Sequence, residues 1–187
     1  MPLQPSTKKR QLKHSRRIWV DFYQAEDELW EVEARFTDTK PFELHISSAI
    51  VPPNRPLHDF WIRVTIDPQC NVLDVITVFD EVPFEGYCAN IASDYKKLVG
   101  LNLLNKFKRG VRDIMGEVNG CAHMNELLEL LPYVAIQVMV FGEEEARKKA
   151  CFQRPGEKPF HLNGCHALKT DGECVAQYYP MWYTGKT

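Results

Sequence analysis

Cys121 and His123 stand two apart behind an Asn119-Gly120 turn, where a helical pattern begins. A thiol in the first turn of a helix feels the positive end of the helix dipole. That favours the thiolate, the form that binds metal or attacks an electrophile. A chain bending into a helix can aim both side chains at one point, so Cys-x-His makes a two-ligand unit. The plain alternative is a cysteine buried as a small hydrophobe and a histidine capping the turn. Cys165 and His166 form a second pair in the loop HLNGCHALKTDG, where Gly164 permits a tight turn and His161 lies four residues upstream. Its plain alternative is a loop pinned by hydrogen bonds. Tetrahedral zinc takes four N or S ligands. Convergence of Cys121, His123, Cys165 and His166 would therefore close a structural site, and convergence of three would leave a position for water or substrate.

Three further residue groups lie at element edges, where functional side chains tend to sit. His58-Asp59 follows a proline-rich turn, and a carboxylate beside an imidazole can set its tautomer or support it as a ligand. Asp80 and Cys88 flank the loop into the first helix. As a catalytic set, Cys121 would be the nucleophile, His123 or His58 the base, and Asp59 or Asp80 the orienting carboxylate, for hydrolysis or thiol-mediated transfer. As a metal set, the candidates are Cys121, His123, Cys165, His166, Cys88 and His58. Zinc or iron suits such mixed ligands. No C-x-x-C pair, P-loop, dinucleotide fingerprint or G-x-S-x-G elbow occurs.

The elements that must position these groups follow from hydrophobic period. Residues 18–23 alternate, as do 29–36, 59–67 and 71–80, with turns at AEDE and at Asp67-Pro68-Gln69. TDTKP at 37–41 and PPNRP at 52–56 interrupt the ladders, since proline lacks an amide donor and aspartate favours local turns. Four antiparallel strands in two hairpins are expected. The period then becomes helical: Ile91, Tyr95 and Leu98 in the first segment, with Gly100 as its stop; Leu103, Phe107, Val111, Ile114 and Met115 in the second; Met124, Leu127, Leu128, Leu131, Ala135 and Val138 in the third, kinked at Pro132. The polar run 143–149 would extend that third helix. Strands followed by helices imply an α+β fold: an antiparallel sheet of about four strands with about three helices packed on one face. Residues 1–17 read as a basic flexible tail and 18–187 as a single domain. Its aromatic C-terminal segment (Tyr178, Tyr179, Met181, Trp182, Tyr183) would clasp the body, or reach a protein partner or a second copy.

Composition sets the outer bounds. The 187 residues carry 23 Lys plus Arg against 25 Asp plus Glu, a net charge of −2 that makes a nucleic-acid partner unlikely. No segment approaches the roughly 18 apolar residues of a membrane span, and the basic opening has no apolar stretch behind it to act as an export signal. With six cysteines in a chain able to build its own core, reduced thiols in a cytoplasm are expected.

TDTKPF (37–42), LHDFWIRVTID (57–67), the Asp80-to-Cys88 loop, YKKLVGLNL (95–103), NGCAHMNELL (119–128) and GCHAL…YYPMWY (164–183) occur in that order. Together they resemble the bacterial domain-of-unknown-function family number 2889, from about residue 16 to 184. The resemblance implies that the marked histidines and cysteines belong to the family pattern, and it carries no established activity. Residues 60–141 are also similar to iron–sulfur scaffold proteins of the IscU type. That likeness implies Cys88, Cys121 and His123 as ligands, with Asn90 where the scaffold has an aspartate; the scaffold's chaperone-binding proline motif is not visible and its His-Cys order is altered. The resulting expectation is a cytoplasmic metal-binding accessory or scaffold-like protein. The alternatives are a Cys/His-dependent enzyme and a non-catalytic structural or interaction subunit.

Overall fold

The computed structural model describes residues 3–25, 27–142 and 156–185. The chain divides into two units, Met1–Val138 and Met139–Thr187. The first holds the sheet. Strands β1 (Ser15–Gln24), β2 (Trp30–Thr39), β5 (Pro56–Ile66) and β6 (Val72–Glu81) pair antiparallel in the order β1-β2-β5-β6. A small separate hairpin, β3 (Leu44–His45) with β4 (Ile50–Val51), fills the connection between β2 and β5.

Side-chain alternation explains the sheet. In β2 the residues Trp30, Val32, Ala34, Phe36 and Asp38 are buried, while those between them are half-exposed. The register sets Phe36 opposite Ile18 and Phe60, Ala34 opposite Val20 and Ile62, and Val32 opposite Phe22 and Val64. One face is thus an apolar surface whose burial drives the layer together. The other carries Trp19, Arg35 and Trp61 in a row. There the Arg35 guanidinium lies 4.9 Å from the Trp19 ring and 4.3 Å from the Trp61 ring.

The helices follow as expected, with three differences. A 3-10 helix spans Cys88–Leu98 instead of an α-helix, with Tyr95 and Leu98 buried. Thr77 Oγ1 donates to the Ala92 carbonyl at 2.9 Å, taking an acceptor that an α-helix would use for its own ladder. The second helical segment is shorter than its pattern: α1 covers Phe107–Met115. The third is not one kinked helix. It breaks into α2 (Ala122–Leu128) and α3 (Leu131–Phe141), so Pro132 sits in the first turn of α3, where it costs no ladder bond. The expected extension through 143–149 lies outside the described residues. Met124, Leu127, Leu128, Leu131 and Ala135 are buried as the spacing requires. The first strand begins at Ser15, three residues before the alternation becomes visible in sequence. No helix among the described residues is long and apolar enough to cross a membrane.

In the second unit, α4 (Glu173–Tyr178) and a 3-10 turn (Pro180–Trp182) form the C-terminal segment. The aromatic cluster expected there needs correcting. Tyr178 and Met181 are exposed, and the dense ring packing lies instead in the sheet unit, among Phe36, Phe60 and Phe79. The run 178–183 leaves the helix at Tyr178 and passes through the 3-10 turn, so its rings spread around the chain, with Tyr179, Trp182 and Tyr183 half-buried.

Candidate metal centre

One end of the buried sheet face is polar. Arg16 of β1, Asp38 of β2 and His58 of β5 are cross-strand neighbours in a single row. A register irregularity follows at once, between Asp38 and Thr39. Asp38 is 4 % exposed and His58 8 %. Above the row lies α2. Its second residue is His123, whose ring stacks on Phe36 at 5.7 Å and meets the His58 ring at 4.2 Å between centroids.

The start of α2 is fixed from beneath. Cys121 is its N-cap residue, in extended conformation, and its backbone N–H donates to the Tyr95 hydroxyl at 2.8 Å. The Asn125 side chain donates to the Met115 carbonyl at 2.5 Å. Gly120 is required by close approach: a Cβ there would stand 2.3 Å from the Met115 carbonyl oxygen. These contacts tie the turn carrying Cys121 and His123 to the core.

Both oxygens of Asp38 are engaged. Oδ1 accepts from Arg16 Nε at 2.9 Å and lies 3.1 Å from His14 Nε2. Oδ2 accepts from Arg16 Nη2 at 2.7 Å and lies 3.0 Å from His58 Nδ1. Burial by itself would raise the Asp38 carboxyl. The hydrogen bonds from Arg16 and His58, with the nearby charges of Arg16 and His14, hold it below its ordinary value. An ionised carboxylate only accepts, so His58 Nδ1 carries the proton in this pair. Burial and the neighbouring His123 push His58 below its usual range, against the pull of Asp38. The imidazole therefore stays neutral, the form that donates a lone pair to a metal.

Asp38, His58 and His123 offer one ligand atom each, and these atoms lie within 4.8 Å of one another. Two imidazoles and a carboxylate form the donor set of many zinc and non-haem iron sites that retain open positions. The trio has the geometry to coordinate a metal ion.

The residues marked in sequence divide accordingly. His58 and His123 come together. Cys121 Sγ lies 4.0 Å from His123 Nδ1, and no cysteine among the described residues belongs to the trio. Asp59 differs from the expectation of a partner for His58. Neighbours on a strand point to opposite faces, so Asp59 meets Arg35 through two bonds of 2.7 and 2.6 Å on the far side of the sheet. Asp80 accepts from Trp61 Nε1 at 3.1 Å. Cys88 opens the 3-10 helix and is half-buried. Cys165 and His166 lie exposed in a turn of the second unit. In that unit His161 Nε2 is 3.3 Å from the Tyr179 hydroxyl.

Two residues escaped the sequence reading. In sequence Asp38 sits inside the breaker TDTKP and Arg16 inside the basic opening, which hides both. The signal for Asp38 was present: it continues the inward series Trp30, Val32, Ala34, Phe36 by one more step of two. A carboxylate at an inward strand position needs a charged or metal partner.

A family model described as "Protein of unknown function (DUF2889)" matches residues 14–137. The match spans Arg16, Asp38, His58, Cys121 and His123, and it ends before Cys165 and His166. No curated protein and no solved structure gives a match.

Proposed function

We propose that this chain, which belongs to the DUF2889 family of proteins of unknown function, is a metal-binding accessory protein that holds one zinc or iron ion on Asp38, His58 and His123. The observation that carries the reading is the convergence of three ligand-type atoms within 4.8 Å, from β2, β5 and the first turn of α2. Fixed elements supply all three, which is how a preorganised ion site is built. His58 Nδ1 and Asp38 Oδ2, 3.0 Å apart, are spaced like adjacent ligands of one small ion. An ion at that point would take the place of the shared proton, and the neutral imidazole would then carry its one ring proton on Nε2, so loading at Nδ1 switches the His58 tautomer. Cys121 Sγ, 4.0 Å from His123 Nδ1, places a sulfur atom beside the trio without belonging to it. The five cysteines among the described residues are free thiols, which suits a reducing cytoplasm.

The test is metal content of the full chain, produced without a histidine tag and dialysed after exposure to zinc or, anaerobically, ferrous iron. About one equivalent per chain is expected, falling below about a tenth in His58→Ala and His123→Ala. Retention of the full equivalent by both variants, or no uptake by the parent chain, overturns the reading.

A further inference from the structure

The carboxylate offered to the ion is already held by a cation. Arg16 makes a two-pronged contact with Asp38, through Nε on Oδ1 and Nη2 on Oδ2, at 2.9 and 2.7 Å. Fork-on-fork pairs of this kind are the strong charge-assisted bonds of proteins. Asp38 is the one carboxylate of the trio, so Arg16 makes the group electrically neutral before an ion arrives. A dication entering next to this guanidinium, whose side chain is 29 % exposed, meets a like charge at close range on the same carboxylate. Arg16 also shares Oδ2, the oxygen nearest His58, and so weakens it as a donor.

Arg16 has a second anchor. Its Nη1 lies 2.5 Å from Glu126 Oε2 on α2, and the guanidinium carbon stands 4.9 Å from the centre of the Phe36 ring. Glu126 is more than half exposed, so it can follow the guanidinium outward. Released from Asp38, Arg16 keeps one carboxylate partner.

We infer that Arg16 sets the occupancy of this centre: its guanidinium competes with the metal ion for Asp38 and withdraws onto Glu126 when the ion loads. The inference rests on the metal reading above. Arg16 is then an internal stand-in for the ion, and affinity measures the difference between two cations on one carboxylate. The opposite role for an arginine in this position is to orient Asp38 for the metal, and the two roles predict opposite signs.

The experiment is a zinc titration of the full chain against a chromophoric chelator at pH 7.5, with circular dichroism to establish folding. Arg16→Gln should bind zinc about tenfold or more tightly than the parent chain, the effect of losing one strong charge-assisted contact to the competitor. Arg16→Lys keeps the charge without the fork and should fall between them. Glu126→Gln removes the second anchor and should weaken binding severalfold. Equal or weaker binding by folded Arg16→Gln overturns the competition. If Arg16→Gln does not fold, Glu126→Gln decides, and unchanged affinity there overturns it. Zinc bound by neither the parent chain nor any variant strikes the metal reading itself, whereas a parent chain that binds and variants that move the wrong way strike this inference alone.

Discussion

His58 shows how one buried imidazole ties stability to pH. Its folded value lies below the ordinary 6.5, through burial first and the adjacent His123 second. As pH falls past about 6.5 the unfolded chain takes up that proton first, so stability declines until the lowered folded value is also passed. Metal-free protein should therefore melt at progressively lower temperature from pH 7 toward pH 5. His58→Gln should flatten that slope, which thermal scans across the range would record; an unchanged slope would place the titration elsewhere. Asp38 acts at the other end, with a folded value held below 3.8. Its contribution is complete above that figure and disappears as the lowered value is crossed. Phe36 is the apolar floor of the same site. It is 2 % exposed and in ring contact with Phe60, His58 and His123. Phe36→Ala should cost about 3–5 kcal/mol in urea unfolding, the usual range for truncating a buried aromatic.

At the scale of elements, the placement of α2 matters more than its length. It has only seven residues and depends on what grips its first turn. Tyr95→Phe removes the acceptor of the Cys121 N–H and should cost about 1–2 kcal/mol. Gly120→Ala forces a Cβ against the Met115 carbonyl and should cost about 1–3 kcal/mol. Both should lower zinc affinity as well as the denaturation midpoint, since each shifts the turn that carries His123. A substitution that lowers the midpoint with affinity intact would show that the turn is positioned by other contacts. Strands with one solvated face announce themselves by period two, so β1, β2, β5 and β6 were legible in sequence. The small hairpin β3–β4 was not, because two-residue strands carry no period. The break before α3 was also hidden, since Leu127, Leu128 and Leu131 keep helical spacing across it. Two of the three trio members were recognisable by type. The third, Asp38, required knowing that β2 runs on to Thr39.

For the whole molecule, an ion bound only by the folded state shifts unfolding by mass action. At a free zinc concentration about 100 times the dissociation constant the gain is about 2.7 kcal/mol. In a chain of this size that corresponds to roughly 5–10 °C in the melting of the sheet unit. A chelator should abolish the shift, which calorimetry with and without zinc measures. The sheet has one further property with consequences beyond the single chain. β1 ends the strand order, and its outer side has no partner strand among the described residues. Along this ten-residue strand the outward backbone groups form a template onto which another extended chain could add. Arg16, Arg17 and Asp21 lie along that rim and keep it wet and charged. Engineering that neutralises the three together would leave a long, oily border, and the price would be read as turbidity and fibres rather than as lost binding.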